Sequence, residues 1–372
     1  MKATQRHRQW TTLPRSTRVR LLLAAAVSLT LGAVALLPDS GGLRAEADVM
    51  TQASLAMEGT LHAVRAERAE RGMAIDPIVD PNLTGLIGAE FSSLTTTLGQ
   101  LGAKRTTTNP NVAGLLTLLL LGAGVESGST VAICASGSFP ALIVATLHAV
   151  ETLRATPLLI VSLSSSMYGA NEASFTLLDI LDCYAGRGFS PLAATVGGDN
   201  DLGRGLDTQT VERLTQAIDE SGIPRLTPAT LPDAVIQRMN LFLEASRSGA
   251  IDCFVNIGGS WACMGTDSAV LTLRPGLTLS VDDVPPQERR GMIFEFLGRG
   301  TPVIHLLNIH DLAADYGLPW DPSPLPAAGE GDLYLAPDAA VRPGLWPAAV
   351  WFCTVLAIFA TPIRRRRPPL DE

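Results

Sequence analysis

Small polar residues follow several predicted strands of this chain, and they are the candidates for ligand binding or catalysis. The clearest case is Ser136-Gly137-Ser138-Phe139-Pro140, between a predicted strand and a predicted helix. A turn containing glycine lets a ligand approach the backbone, and the following helix N-terminus presents unpaired N–H groups to an anion. Ser138 or Ser136 could alternatively be an exposed nucleophile, although G-x-S-x-G is absent, or both serines could only cap the helix.

Comparable turns follow four further predicted strands. They contain Ser165 and Asn171, then Asp199 and Asp201, then Asn256, Gly258 and Gly259, and finally His310 beside Asp311. Ligands bind at the carboxyl ends of open parallel sheets, so these loops could line one crevice. The alternatives are turn and cap chemistry for the serine loop, a simple tight turn for the glycine pair and a structural role for His310. Asp199, Asp201 and Asp207 could offer oxygens to calcium or magnesium, but their spacing does not fit an EF-hand and a solvated glycine turn explains them better. We therefore predict no metal and no cofactor.

An upstream block over residues 80–111 is the densest polar segment. Its candidate ligand-binding residues are Asp80, Asn82, Thr84, Lys104 and Arg105. Lys104 and Arg105 form a local cation pair that could hold a carboxylate or phosphate in an otherwise acidic domain. The alternative is a solvated turn with capping threonines. Lys104 or His310 is also the candidate general base for a reactive serine.

An alternation of strands and helices must position these residues. Strands are predicted at residues 130–134, 158–163, 192–196, 251–257 and 302–307, and helices at 46–71, 112–125, 140–153, 175–184, 208–221, 234–245, 291–297 and 310–316. Residues 264–285 form an irregular or β insertion. Such alternation predicts an α/β fold: a mostly parallel sheet with helices on both faces, flanked by two transmembrane helices.

Two apolar segments bracket this domain. Residues 21–37 follow six cations with no acidic residue in positions 1–20, and residues 345–363 precede four consecutive arginines. Both segments are long enough to cross a hydrocarbon core of about 30 Å, and positive charge stays in the cytoplasm. The predicted organisation is a cytoplasmic basic tail (1–20), a transmembrane helix (21–37), an extracytoplasmic α/β domain (38–321), a linker (322–344), a transmembrane helix (345–363) and a cytoplasmic tail (364–372).

The first apolar segment has a second interpretation. Ala45-Glu46-Ala47 resembles a signal-peptidase site, so residues 21–37 could belong to a cleaved signal peptide. The apolar run is longer than the usual 7–15 residues or so, which favours a retained anchor. Cleavage would leave residues 345–363 as the sole anchor, with the domain still outside.

The net charge and the cysteine spacing argue against two kinds of site, a nonspecific nucleic-acid surface and a zinc site. The six cations of residues 1–20 and the net +2 of residues 364–372 leave −16 on residues 21–363, from a total of −8. An acidic domain argues against nonspecific nucleic-acid binding. Cys253 and Cys263 could form a disulfide in an oxidising compartment or remain free thiols, and no cysteine spacing suggests zinc.

Several motifs in order carry a family resemblance. They are DPNLTGLIGAEFSSLTTTLGQLGAKRTTTNPN (80–111), SGSFPAL (136–142), SSSMYGAN (164–171), VGGDND (196–201) and NIGGS (256–260). With these motifs, residues 48–317 resemble the poly-gamma-glutamate system protein family. The resemblance implies a bacterial envelope component of poly-γ-glutamate synthesis, export or anchoring, beside a cytoplasmic amide ligase and its membrane partner. It carries over no catalytic residue.

Two functions follow as expectations. The first is an accessory protein of the bacterial inner (cytoplasmic) membrane that binds the anionic polymer or the poly-γ-glutamate synthetase subunits. The alternative is an envelope serine hydrolase or transferase acting on γ-glutamyl amide bonds, with Ser138 or Ser136 as nucleophile and Lys104 or His310 as base. The chain contains no Walker A pattern, so we expect ATP-driven ligation to belong to a partner.

Overall fold

The computed structural model describes residues 15–35, 42–185, 188–336 and 350–355. The chain divides into one compact unit, Ala45–Tyr334, and a second unit drawn from both chain ends. The second unit contains helix α1 (Arg15–Ala35) and a helical segment at 350–355, where Trp351 Nε1 donates to Ser28 Oγ at 2.6 Å. Within the described ranges, no helix is both long and apolar enough to span a bilayer. Most of the predicted segment 345–363 and all of the tail 364–372 lie outside those ranges.

The larger unit alternates helices with short strands. Its helices are α2 (Ala47–Glu70), α3 (Leu101–Thr107), α4 (Asn111–Gly122), α5 (Pro140–Thr152), α6 (Leu177–Ala185), α7 (Thr208–Ser221), α8 (Leu231–Ala245), α9 (Trp261–Met264), α10 (Met292–Leu297) and α11 (Ile309–Tyr316). Its strands are β1 (Thr95–Thr97), β2 (Thr130–Ser136), β3 (Thr156–Ser162), β4 (Ser165–Ser166), β5 (Asn171–Glu172), β6 (Phe175–Thr176), β7 (Ala193–Thr195), β8 (Cys253–Ile257), β9 (Gly276–Thr278) and β10 (Val303–Leu306).

Six strands form the main sheet, in the order β7-β3-β2-β8-β10-β9. Five of them are parallel, and β9, which lies in the predicted insertion, pairs antiparallel with β10. The α/β class with a mostly parallel sheet is therefore confirmed. From β2 the chain builds outward to β3 and β7, and then returns to place β8 on the other side of β2. The chain leaves β2 toward β3 and leaves β8 toward β10, in the opposite direction along the sheet. The loops after β2 and β8 therefore diverge and leave a crevice between them.

Both faces of this sheet are covered, because successive strand residues point to opposite sides. Val131, Ile133 and Ala135 of β2 pack into one apolar cluster with α2, α4 and α5, whereas Ala132 and Cys134 pack into another with α8 and α10. The sequence of β2 is continuously apolar because both faces of this strand are buried.

Two small sheets of two strands each accompany the main sheet. β1 pairs in parallel with β4, and β5 forms a hairpin with β6. The helix predicted from residue 175 accordingly begins at Leu177, because Phe175 and Thr176 are in that hairpin.

The end of the compact unit is fastened to its beginning. Tyr334 is buried, and its hydroxyl donates to Asn111 Oδ1 at 2.7 Å and lies 2.8 Å from Ser54 Oγ. Asn111 also accepts from Gly329 N at 2.9 Å. Residues 322–334 were predicted to be part of a linker. These polar contacts hold them in the compact unit instead.

Cys253 and Cys263 do not meet. Both are free and buried, but Cys253 packs into the α2/α4/α5 cluster and Cys263 into the α8/α10 cluster, on the opposite face of the sheet. The disulfide alternative is therefore wrong, because the sheet itself separates the two thiols. Cys263 instead packs in the same apolar cluster as Cys134.

Candidate functional site

A small cleft lies at the carboxyl ends of β2, β3, β7 and β8. Its cavity volume is about 70 Å³. The residues that line it are Thr96, Thr97, Ser136, Ser138, Ser162, Ser164, Gly197, Gly198, Asp199, Asp201, Gly259, Ser260 and Trp261. Hydroxyl groups and two carboxylates therefore dominate its surface.

Close backbone packing builds the β2 side of the cleft. The N–H of Gly137 donates to the carbonyl oxygens of Ser162 and Ser164 at 2.9 and 3.1 Å. Ser165 Oγ in turn donates to the Gly137 carbonyl at 3.0 Å. A Cβ at position 137 would lie 3.1 Å from the carbonyl oxygens of Leu163 and Ser164, so glycine permits the loops after β2 and β3 to join.

A glycine pair builds the β7 side. Gly197 and Gly198 have φ of +86° and +77°, and Gly198 N donates to Ser164 Oγ at 2.8 Å. A Cβ on Gly197 would stand 2.2 Å from Ser164 Oγ, so Ser164 would have to move and release Gly198 N. This turn directs the chain so that Asp199 and Asp201 reach the cleft.

Asp201 is fixed by a buried network. Its Oδ1 accepts from Ser162 Oγ at 3.1 Å and Thr195 Oγ1 at 2.9 Å, and its Oδ2 lies 2.5 Å from Arg238 Nη2. The side chains of Arg238 and Asp201 are 0% and 2% exposed. Burial by itself lowers the pKa of Arg238, but the carboxylate of Asp201 and nearby thiols raise it above its usual value. Arg238 is therefore a permanent cation that neutralises Asp201.

Lys104 lies behind the opposite wall of the cleft. Its Nζ donates to Ser166 Oγ at 2.8 Å and to the Ser138 carbonyl oxygen, and it stands 3.5 Å from the centroid of the Phe139 ring. The residue is 2% exposed, and no described ion pair includes it. Burial lowers the pKa of Lys104 to about 7, because desolvation disfavours the ammonium form.

Arg105 points elsewhere. Its guanidinium donates to the carbonyl oxygens of Val79 and Ile78 at 2.8 and 2.6 Å and pairs with Asp321 at 3.3 Å. Neighbouring positions on a helix are about 100° apart, so the two side chains diverge. Lys104 and Arg105 therefore do not form the joint anion site that their adjacency suggested.

The other predicted residues of the upstream block close a turn. Asp80 Oδ2 accepts from Thr84 Oγ1 at 2.9 Å and Gly85 N at 2.7 Å, and Asn82 Nδ2 donates to the Pro322 carbonyl at 2.8 Å. Asp80 and Thr84 are buried and serve this local turn, whereas Asn82 joins the turn to a segment 240 residues away, so the turn is not the solvated one of the alternative prediction.

Three further candidates are also engaged away from the cleft lining. Asn171 Nδ2 donates to the Ala89 carbonyl at 2.8 Å, and Asn256 Nδ2 donates to the Gly258 carbonyl at 2.8 Å. His310 is exposed and contacts Asp311 at 3.2 Å. None of these three residues lines the cleft.

Of the predicted site residues, the structure brings Ser136, Ser138 and Gly259 together in the cleft, with Gly137, Ser165 and Gly258 in the supporting turns. Sequence reasoning missed Arg238, and it included Ser166 and Thr96 only as members of the loop at 164–171 and of the polar block at 80–111. A signal existed for Arg238: it occupies the apolar stripe of α8, between Val235 and Phe242, where an unpaired cation would be costly.

Comparison of the chain with protein-family models, curated proteins and solved structures finds no match. Within the described part of the chain, no group of three or more histidine, cysteine, aspartate or glutamate residues could hold a metal ion.

Proposed function

We propose that this chain is a membrane-anchored, extracytoplasmic component of bacterial poly-γ-glutamate synthesis or export, and that its cleft binds one end of the polymer. The observation that carries the proposal is the convergence of four strand ends on one hydroxyl-lined cleft at the point where β2 and β8 separate. Such crevices are the ligand sites of open parallel sheets.

The chemistry of the cleft favours an end group over a length of polymer. A chain of γ-linked glutamates is a polyanion, and a cleft with Asp199 and without an exposed cation would repel its carboxylates. The amino end of the polymer carries an ammonium, which Asp199 can accept, while seryl hydroxyls can donate to the adjoining carbonyl and carboxylate oxygens. The small volume suits a terminal residue.

Membrane attachment is proposed from the apolar segments and their arginine clusters. Residues 21–37 and 345–363 would place both termini in the cytoplasm of the bacterial inner membrane. Trp351 of the second segment donates to Ser28 of the first, so these two residues are in contact. The proposed partners are the synthetase subunits, which would make the polymer that the cleft receives.

Binding of oligo-γ-glutamate to the full-length protein in detergent micelles tests the site. Asp199→Asn should weaken binding about tenfold or more, because a charge-assisted hydrogen bond contributes about 1.5–3 kcal/mol. The exposed Asp282→Asn should leave affinity unchanged. N-acetylation of the oligomer should reproduce the loss in the wild type. Equal affinity of Asp199→Asn and wild type would contradict the proposed site.

Topology is tested separately. A reporter inserted at position 200 should be active only outside the cytoplasm, whereas one at position 372 should be active only inside it. Cytoplasmic activity at position 200 would contradict the proposed location.

A further inference from the structure

A second cavity adjoins the cleft, and Asp201 lines both of them. Arg204 and Arg225 also line the second cavity, so we name it the arginine groove. Its walls are the end of β7, the turn at 202–204, one face of α7 and the segment at 225–229. Its volume is about 400 Å³, which lies within the range of about 300–1,000 Å³ for pockets that hold small ligands. The groove is therefore large enough to hold a ligand that extends out of the much smaller cleft.

The two arginines give the groove a positive charge. Arg204 is exposed, and no ion pair among the described residues includes it. Arg225 donates from Nε to Asp219 Oδ1 at 2.8 Å, and its two Nη groups have no partner in the described part of the chain. Residues 21–363 carry a net charge of −16, so an anion that approaches this domain is attracted only where cations are grouped.

The carboxylate that lines the groove does not oppose these cations. Asp201 is 2% exposed, and its Oδ2 lies 2.5 Å from Nη2 of Arg238, which neutralises it. Asp199 lines the cleft and is not part of the groove lining. The two cavities therefore differ in charge, because the cleft offers a carboxylate and the groove offers two guanidinium groups.

Hydrogen bonds of the main chain fix the positions from which both arginines extend. Asp199 N donates to the Arg204 carbonyl at 2.9 Å and closes the turn that carries Arg204. Leu226 N donates to the Ala194 carbonyl at 2.9 Å, so the segment with Arg225 runs parallel to β7. Because both segments are already ordered, a ligand in the groove does not have to pay for ordering them.

Two threonine hydroxyls add further donors. Thr215 and Thr227 line the groove, and no hydrogen bond in the described part of the chain engages either hydroxyl. A hydroxyl can donate to a carboxylate oxygen, and a guanidinium can bind a carboxylate through two parallel hydrogen bonds. This set of donors suits a ligand that carries carboxylates.

We propose that the arginine groove binds the α-carboxylates of the units that follow the terminal unit of poly-γ-glutamate, while the cleft holds the amino end. The choice of polymer rests on the proposed function, and the assignment of Arg204 and Arg225 rests on the lining of the groove. Since the two cavities share Asp201, a chain whose end lies in the cleft can continue into the groove. Each γ-linked glutamate carries a free carboxylate, so the two arginines can bind successive units.

The test compares a dimer and a decamer of γ-linked glutamate, each binding to the full-length protein in detergent micelles at low ionic strength. The wild type should bind the decamer about tenfold more tightly than the dimer, because only the decamer extends far beyond the cleft. Added salt should reduce this difference, since exposed charges are screened.

Arg204→Gln combined with Arg225→Gln should lower the affinity for the decamer about tenfold and change that for the dimer less than about twofold. Arg204→Gln alone, which breaks no described ion pair, should lower the affinity for the decamer about threefold. Arg213→Gln is the matched control, because Arg213 is an exposed arginine of α7 outside the groove lining. It should leave both affinities unchanged, and all variants should keep the wild-type thermal transition.

Equal affinity of the double variant and the wild type for the decamer would overturn the groove inference and leave the cleft proposal standing. An equal loss in Arg213→Gln would also overturn it, because the net charge alone would then explain the effect. A loss in the double variant with no loss in Asp199→Asn would support the groove and remove the amino-end site. Failure of the wild type to bind either oligomer would overturn both proposals.

Discussion

Two cations are buried on opposite sides of the same cleft, and they differ in what neutralises them. Arg238 faces the carboxylate of Asp201 at 2.5 Å, whereas Lys104 faces only a hydroxyl, a carbonyl oxygen and an aromatic ring. Burial lowers the pKa of Arg238, but Asp201 and the thiols of Cys134 and Cys263 together raise it above its usual value. The pKa of Lys104 falls to about 7, because no such group opposes burial there.

Arg238 with Asp201 is therefore a structural ion pair, whereas Lys104 is a titratable group. An ion pair of this kind holds the Gly197–Asp201 turn in place at every ordinary pH. An amine without a counter-ion can change its charge near neutrality, which is what proton transfer requires. The contrast between Arg238 and Lys104 can be tested by three measurements of stability.

Arg238→Met should destabilise the protein by about 3–5 kcal/mol, because it leaves the Asp201 carboxylate buried without a partner. Urea denaturation at pH 7 measures the change. Asp201→Asn combined with Arg238→Met is the matched control and should recover a large part of the loss. A loss below about 1 kcal/mol for the single variant would show that Asp201 is not dependent on Arg238.

Lys104 should make stability depend on pH. Its folded-state pKa of about 7 lies below its unfolded value of 10.5, so between these values the unfolded chain binds more protons. The free energy of unfolding should therefore rise with pH there, by up to about 1.4 kcal/mol per pH unit. Below pH 7 both states are protonated and the dependence vanishes.

Denaturation at several pH values between 6 and 9.5, compared with Lys104→Met, isolates this dependence from that of other groups. The difference in stability between wild type and Lys104→Met should grow with pH in favour of the wild type. A difference that stays constant over this range would mean that Lys104 keeps its proton.

Ser162→Ala should have the smallest effect, a loss of about 1 kcal/mol at pH 7, because Thr195 still donates to the same oxygen of Asp201. Thermal denaturation measures it, with Ser190→Ala as control. A loss as large as that of Arg238→Met would show that the hydroxyls, not the guanidinium, hold the carboxylate.

Much of the fold could be predicted because its signals are local. Helix α7 occupies the predicted residues 208–221, since Asp207 caps its first turn and Gly222 ends it in a left-handed conformation. The strands were recognisable as apolar runs between turns. Helix α3 was missed because its seven residues include a glycine and two threonines, so its sequence resembles a loop.

The site was less predictable, because it depends on where distant segments pack. The rule for strand ends identified Ser136, Ser138 and Gly259 without any knowledge of pairing. The contacts of Arg238 with Asp201 and of Lys104 with Ser166 join segments 37 and 62 residues apart. Adjacency in sequence suggested that Lys104 acts with Arg105, but the helix sends the two side chains in different directions.

The attachment of Tyr334 to Asn111 and Ser54 has a mechanical consequence. The two ends of the compact unit, near Ala45 and Tyr334, are fastened at one corner by these hydroxyl and amide contacts. A pulling force applied through both ends would act first on the hydrogen bonds of Tyr334 with Asn111 and Ser54. The sheet, and the cleft at the carboxyl ends of its strands, would bear the force only after these hydrogen bonds had broken.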